Sequence, residues 1–134
     1  MTILAPGNLA IEATGSSPRV RGDAAARTLE LSGESYPENS FEFFRPVLAW
    51  VRPLLAGEGA ALALDLRLLY LNTSSIKCLM DLLDLMEDAH RAGGSVSVTW
   101  RYDAENDRAL DLAEEFREDL TLPFHLVPVP AEDA

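Results

Sequence analysis

Asn72-Thr73-Ser74-Ser75, with Lys77 just beyond, is the segment of this 134-residue chain whose side chains are best suited to chemistry. Three adjacent hydroxyls are candidate nucleophiles or phosphate acceptors. The apolar run Leu66–Leu71 leads into them and a helical repeat follows, so they fall where a helix begins. The first N–H groups of a helix lack partners within it, and its dipole is positive at that end. Such a point favours an anion, phosphate above all. Either a phosphorylated ligand binds here or one of the hydroxyls becomes phosphorylated. A plainer role is capping, since Asn72 or Thr73 suits an N-cap and contributes about 1 kcal/mol. Three hydroxyls exceed what one cap needs, however. Lys77 lies about one turn on, where it can help compensate a phosphoryl group on Thr73. A ready-made phosphate ligand lacks its usual cradle, because no Gly-rich loop and no GxxxxGKS/T pattern precedes the helix. Hydrolysis through Ser74 or Ser75 lacks a base: no His is near in sequence and there is no GxSxG elbow.

Composition narrows the function classes. The net charge is −11 with no offsetting basic stripe, so nucleic acid and anionic membrane are excluded as expected partners. A basic patch on a partner protein fits better. Hydrophobic residues make up 48% of the chain, enough for one domain with a real core, expected to span 1–134. Apolar runs are too short to cross a bilayer, and the start lacks the pattern of a signal peptide. Cys78 is the only cysteine, which points to a reducing cytoplasm. His90 and His125 match no ligand spacing, so no metal, cofactor or catalytic residue is expected.

The elements that must position the hydroxyl cluster follow from periodicity. Residues 1–17 read as an irregular segment with at most a short strand near Leu9–Ala13. Pro18–Gly22 and Thr28–Ser32 form a hairpin, and Ser35–Ser40 is a turn feeding a helix over Ser40–Ala56. That helix presents Phe41, Phe44, Leu48, Val51 and Leu55 inward, with Pro46 and Pro53 on the opposite side. Ala61–Leu71 and Ser95–Tyr102 are alternating strands, with Leu62, Leu64, Leu66, Leu68 and Tyr70 sharing one face of the first. Alternation implies a sheet covered on one face only. Helices are expected over Thr73–Ala92 and, behind Asp103 as cap, over Ala104–Glu118; Phe124–Val129 is a last strand and 130–134 an acidic tail. The fold class is therefore α/β, a mixed sheet of four to five strands with helices mainly on one face.

The second helix carries two apolar stripes that together span roughly 220°. One holds Ile76, Leu79, Met80, Leu83 and Met86, the other Cys78, Leu82, Leu85 and Ala89. A helix covering one side of a sheet needs little more than ~100°. Either neighbouring helices bury the second stripe, or Cys78, Leu82 and Leu85 belong to a docking surface beside the hydroxyls.

Ser35-Tyr36-Pro37-Glu38-Asn39-Ser40, the run from Leu64 to Lys77, and Leu112-Ala113-Glu114-Glu115-Phe116-Arg117-Glu118-Asp119 resemble the SiaC family of bacterial regulatory phosphoproteins. The resemblance extends from about Pro18 to Phe124. It implies a fold akin to anti-sigma-factor antagonists, the STAS type. It also implies a non-catalytic switch phosphorylated on the threonine that falls on Thr73, by a GHKL-type kinase, and dephosphorylated by a PP2C-type phosphatase. The unphosphorylated form of such a switch binds and activates a diguanylate cyclase. Asn72, Ser74, Ser75 and Lys77 would surround the phosphate, and Tyr36, Pro37, Glu38 and Asn39 would join the partner surface. A small-ligand or nucleotide-binding module of the same fold is the alternative.

Overall fold

The computed structural model describes residues 7–130; residues 1–6 and the acidic tail beyond 130 lie outside them. The described residues form six strands and three helices, which alternate from the third strand on: β1 (Leu9–Ile11), β2 (Arg19–Asp23), β3 (Thr28–Ser35), α1 (Ser40–Leu55), β4 (Ala61–Leu71), α2 (Thr73–Arg91), β5 (Ser95–Asp103), α3 (Asp107–Glu118) and β6 (Phe124–Val129). They form one sheet in sequence order, antiparallel from β1 to β3 and parallel from β3 to β6. Three parallel crossovers that step the same way across a sheet place all their helices on one face. The sheet thus has one strand more than the four to five expected. The extra one is β1, whose Leu9 and Ala10 are buried against the hairpin. The Trp50 indole N–H of α1 donates to the Gly7 carbonyl and ties this strand down. Gly22 in β2 makes room, since a Cβ there would lie 2.8 Å from the Trp50 ring. Among the described residues no helix is long and apolar enough to cross a membrane.

The covered face holds Leu29, Leu31, Leu62, Leu64, Leu66, Val98 and Trp100, all essentially inaccessible. Each such leucine contributes about 1.5–3 kcal/mol relative to exposure. Asp65, Arg67 and Arg101 lie on the open face, where Arg101 pairs with Asp65 at 3.2 Å.

Alternation along β4 fails at its end. Gly33 pairs with Leu68 and Glu34 with Tyr70, so Leu69 is an extra residue, a bulge opposite a glycine at φ +113°. The bulge reverses the later side chains. Leu71 turns into the core and Tyr70, expected inside with Leu62–Leu68, is 55% exposed. A similar shift occurs in α1, whose inward stripe is Ser40, Phe44, Val47 and Val51. Phe41, expected in the core, is exposed, because the stripe is set by Ser40 rather than by its neighbour. Pro46 and Pro53 lie inside a continuous helix. The third helix starts three residues later than expected: Asn106, not Asp103, accepts the capping N–H, and Asp103 instead holds the turn through the Glu105 N–H.

Candidate functional site

The carboxyl ends of β3 and β4 and the N-termini of α1 and α2 converge on one point. The Asn72 N–H donates to the Ser35 carbonyl at 2.9 Å, joining the ends of the two strands. Asn72 is the N-cap of α2, and its Oδ1 accepts the Ser75 N–H at 2.9 Å. Its side-chain amide also donates to the Pro37 carbonyl at 3.4 Å, so the cap holds the turn before α1 as well. Asn39 caps α1 in the same way, accepting the Glu42 N–H at 3.1 Å.

Beneath this cap lies a network of serine hydroxyls. Ser35 and Ser75 are 2.8 Å apart, Ser40 and Ser75 3.1 Å, and Ser74 donates to Ser40 at 2.8 Å. Ser35, Ser40 and Ser75 are buried. Buried hydroxyls left unpaired are costly, so the network fixes how the two helix starts meet. Replacing Asn72 with Ala removes the cap and one tie to this turn. Chemical denaturation should then show a loss of about 1 kcal/mol, within the usual 0.5–2 for an N-cap.

The network sorts the hydroxyls by availability. Ser75 is inaccessible and held on two sides, so its side chain does not reach a phosphate site, contrary to expectation. Ser74 is half-buried and committed to Ser40. Thr73 is exposed, and among the described residues its hydroxyl makes no hydrogen bond. The N–H groups of Thr73 and Ser74 are likewise without a partner among the described residues, whereas those of Ser75 and Ile76 are taken by Asn72. Lys77 reaches forward to Asp81 at 2.7 Å, and this partner raises its pKa. It must leave that pair before it can serve Thr73.

Among the described residues the large hydrophobic side chains that stand exposed are Tyr36, Phe41, Leu69, Tyr70 and Met80. Four belong to the strand ends or first helical turn beside Thr73, and Met80 lies further along α2. Tyr36 and Tyr70 meet edge to face, their centroids 5.8 Å apart. Tyr36 is also anchored to the loop before β2, its N–H on the Ser16 carbonyl and its hydroxyl on the Gly15 carbonyl. Met80 lies seven residues beyond Thr73, about 20° off the same line along α2. Tyr36 was legible as a surface residue; Phe41, Tyr70 and Met80 were not, because each fits a core pattern, whereas alternation already sets Leu69 on the face of Asp65 and Arg67.

The second apolar stripe of α2 is closed off as a docking surface. Cys78 and Leu82 are fully buried and Leu85 is half-buried. The reason is the neighbouring helix, since α2 runs packed along α1. Burial also pushes the Cys78 thiol pKa up. Glu38 and Asn39 are exposed beside the site, while Pro37 is half-buried.

Residues 11–129 match the sequence model of the SiaC family, described as regulatory phosphoproteins. An uncharacterised protein of Pseudomonas aeruginosa (strain UCBPP-PA14) is 55% identical over 117 residues, which cover 87% of this chain and 93% of that protein. A chain in the crystal structure of diguanylate cyclase SiaD in complex with its activator SiaC, from P. aeruginosa, is 53% identical and superposes with a TM-score of 0.87. That match covers 90% of this chain and 99% of the other. A second structure, SiaC of P. aeruginosa, is 52% identical with a TM-score of 0.84, over 91% and 98% of the two chains.

Proposed function

The chain belongs to the SiaC family of regulatory phosphoproteins, and we propose that it is a non-catalytic cytoplasmic switch whose state is written on Thr73. The observation that carries this reading is the contrast among the hydroxyls. Ser74 and Ser75 are locked into the serine network, while Thr73 stands in solvent at the start of α2 with two free N–H groups beside it. A kinase can reach Thr73, and the helix N-terminus tolerates the added charge.

In this reading a GHKL-type kinase phosphorylates Thr73 and a PP2C-type phosphatase reverses it. The effector is a diguanylate cyclase, by analogy with the cyclase that SiaC activates in the similar complex, which makes the protein part of c-di-GMP signalling. The apolar ring of Tyr36, Phe41, Leu69, Tyr70 and Met80 is the surface the effector covers when Thr73 is unmodified. Tyr36, Glu38 and Asn39 border it, and Pro37 anchors their turn to Asn72. No cofactor or metal enters the scheme.

The test is to titrate the host's diguanylate cyclase with unmodified protein, with Thr73→Ala and with Tyr70→Ser. The unmodified protein and Thr73→Ala should bind and raise c-di-GMP synthesis, while Tyr70→Ser should weaken binding about tenfold or more, as loss of an interface aromatic commonly does. Failure of the unmodified protein to bind any cyclase of its host would reject the effector assignment.

A further inference from the structure

We infer that the cleft between α2 and α3 receives an amphipathic helix of the effector whose flank is basic. The inference rests on the effector binding proposed above and names the shape and charge of what binds. Whereas α2 packs along α1, it stands off α3 and leaves a cleft of about 160 Å³. Ile76, Leu83, Leu112 and Phe116 line its interior, and Met80, 47% exposed, stands at its mouth. That volume is close to the ~150 Å³ of an apolar cavity that accepts a benzene ring, so it suits one aromatic or branched aliphatic anchor. A trough between two helices is a shape that accepts a third helix through its i, i+3/i+4 side chains.

Charge selects the partner. Asp84, Glu115 and Asp119 also line the cleft, and Asp111, Glu114 and Glu118 continue the acidic surface along α3. The nearby cations are Lys77, already paired with Asp81, and Arg117 within that acidic surface. Such a rim repels an acidic helix and attracts lysines or arginines on either side of an apolar stripe. The cleft is continuous with the switch, because Thr73, Met80 and Asp84 lie along one line of α2. Thr73 and Asp84 are nevertheless about 16 Å apart along the helix, well beyond the ~8 Å Debye length at physiological salt. The basic flank therefore answers the rim and not a phosphate on Thr73, which would meet the apolar ring instead.

The experiment measures affinity for the full-length diguanylate cyclase of the host at low and moderate salt. It compares the unmodified protein with Met80→Glu and with the double variant Glu115→Lys/Asp119→Lys, with melting curves as a check on folding. Both sites are exposed enough to accept the changes; should Met80→Glu melt early, Met80→Ser replaces it. We expect each variant to bind at least tenfold more weakly, and the affinity of the unmodified protein to fall with salt. Binding by both variants within twofold of the unmodified protein would overturn the cleft assignment while leaving the effector reading intact. If the unmodified protein itself fails to bind, the effector reading falls and this inference with it.

Discussion

Phosphorylation of Thr73 should weaken effector binding by roughly two to three orders of magnitude. A phosphothreonine carries about −1.5 to −2 charges near neutral pH. Beside Thr73 the exposed large hydrophobic side chains Tyr36, Phe41, Leu69, Tyr70 and Met80 carry no positive charge, and Glu38 adds a negative one. The free N–H groups of Thr73 and Ser74 offset part of it, but Lys77 is held by Asp81. An effector that covers the ring must strip water from the phosphate without replacing it. Leaving a charge buried and uncompensated costs about 3–5 kcal/mol, and every 1.4 kcal/mol is tenfold in affinity. Calorimetry with kinase-treated and untreated protein measures the difference directly. Thr73→Glu, with one charge and a different shape, should give a smaller loss, whereas Thr73→Ala should bind nearly as well as the unmodified protein. Equal affinity for both phosphorylation states would show that the effector does not cover this point.

The second large effect concerns stability. Glu87 on α2 is a buried carboxylate, yet it sits fully paired. It accepts the Thr121 N–H at 2.8 Å, the Thr121 hydroxyl at 2.7 Å and the Leu122 N–H at 3.1 Å, and pairs with Arg91 at 2.8 Å. This one side chain therefore fastens α2 to the segment between α3 and β6. Burial alone would raise its pKa, but the hydrogen bonds from Thr121, Arg91 and Leu122 outweigh that and hold it at about 2 against an ordinary 4.5. A depressed folded pKa means that the stabilisation is complete above the unfolded value. It is lost as pH falls from about 4.5 towards about 2. Glu87→Ala leaves two backbone N–H groups and a hydroxyl without their acceptor. It should cost about 3 kcal/mol and lower Tm by roughly 10 °C. Glu87→Gln, which keeps an acceptor, should cost less but flatten the acid limb of the stability curve between those two pH values. A Glu87→Ala protein that melts within 2 °C or so of the parent would refute the role of this contact.

Much of the architecture was legible because local signals and tertiary demands coincide. Period-2 alternation in Ala61–Leu68 and Ser95–Trp100 matches a sheet covered on one face. The Asn72 cap and Gly93-Gly94 bracket α2 within a residue. The failures occur where one residue type suits two environments. Leu68-Leu69-Tyr70-Leu71 is uniformly apolar, so nothing local reveals the bulge that turns Tyr70 outward. Ser40 is buried because the Ser74 and Ser75 hydroxyls, from the start of another helix, pair with it, and that pairing spans more than thirty residues of chain. The two stripes of α2 look equivalent in sequence. Both are largely buried, and only Ile76 and Met80 of the first stay partly open, where α3 stands off. Asp103 and Asn106 are both good caps, and the choice between them is made by the end of β5, which continues through Asp103. In the candidate site, position along the sequence singles out only the Thr73–Ser75 cluster, while the buried network that sets Thr73 apart from Ser74 and Ser75 needed the fold.

The central claim is that Thr73 carries the state of the switch. It is tested most directly by intact-mass analysis and peptide mapping of the protein from its native host, sampled across several growth conditions, beside Thr73→Ala. The expected result is one added phosphate that maps to Thr73, varies with growth condition and disappears in the mutant. A phosphate mapping to Ser74 or Ser75, or none under any condition and none after incubation with the cognate kinase, would contradict it.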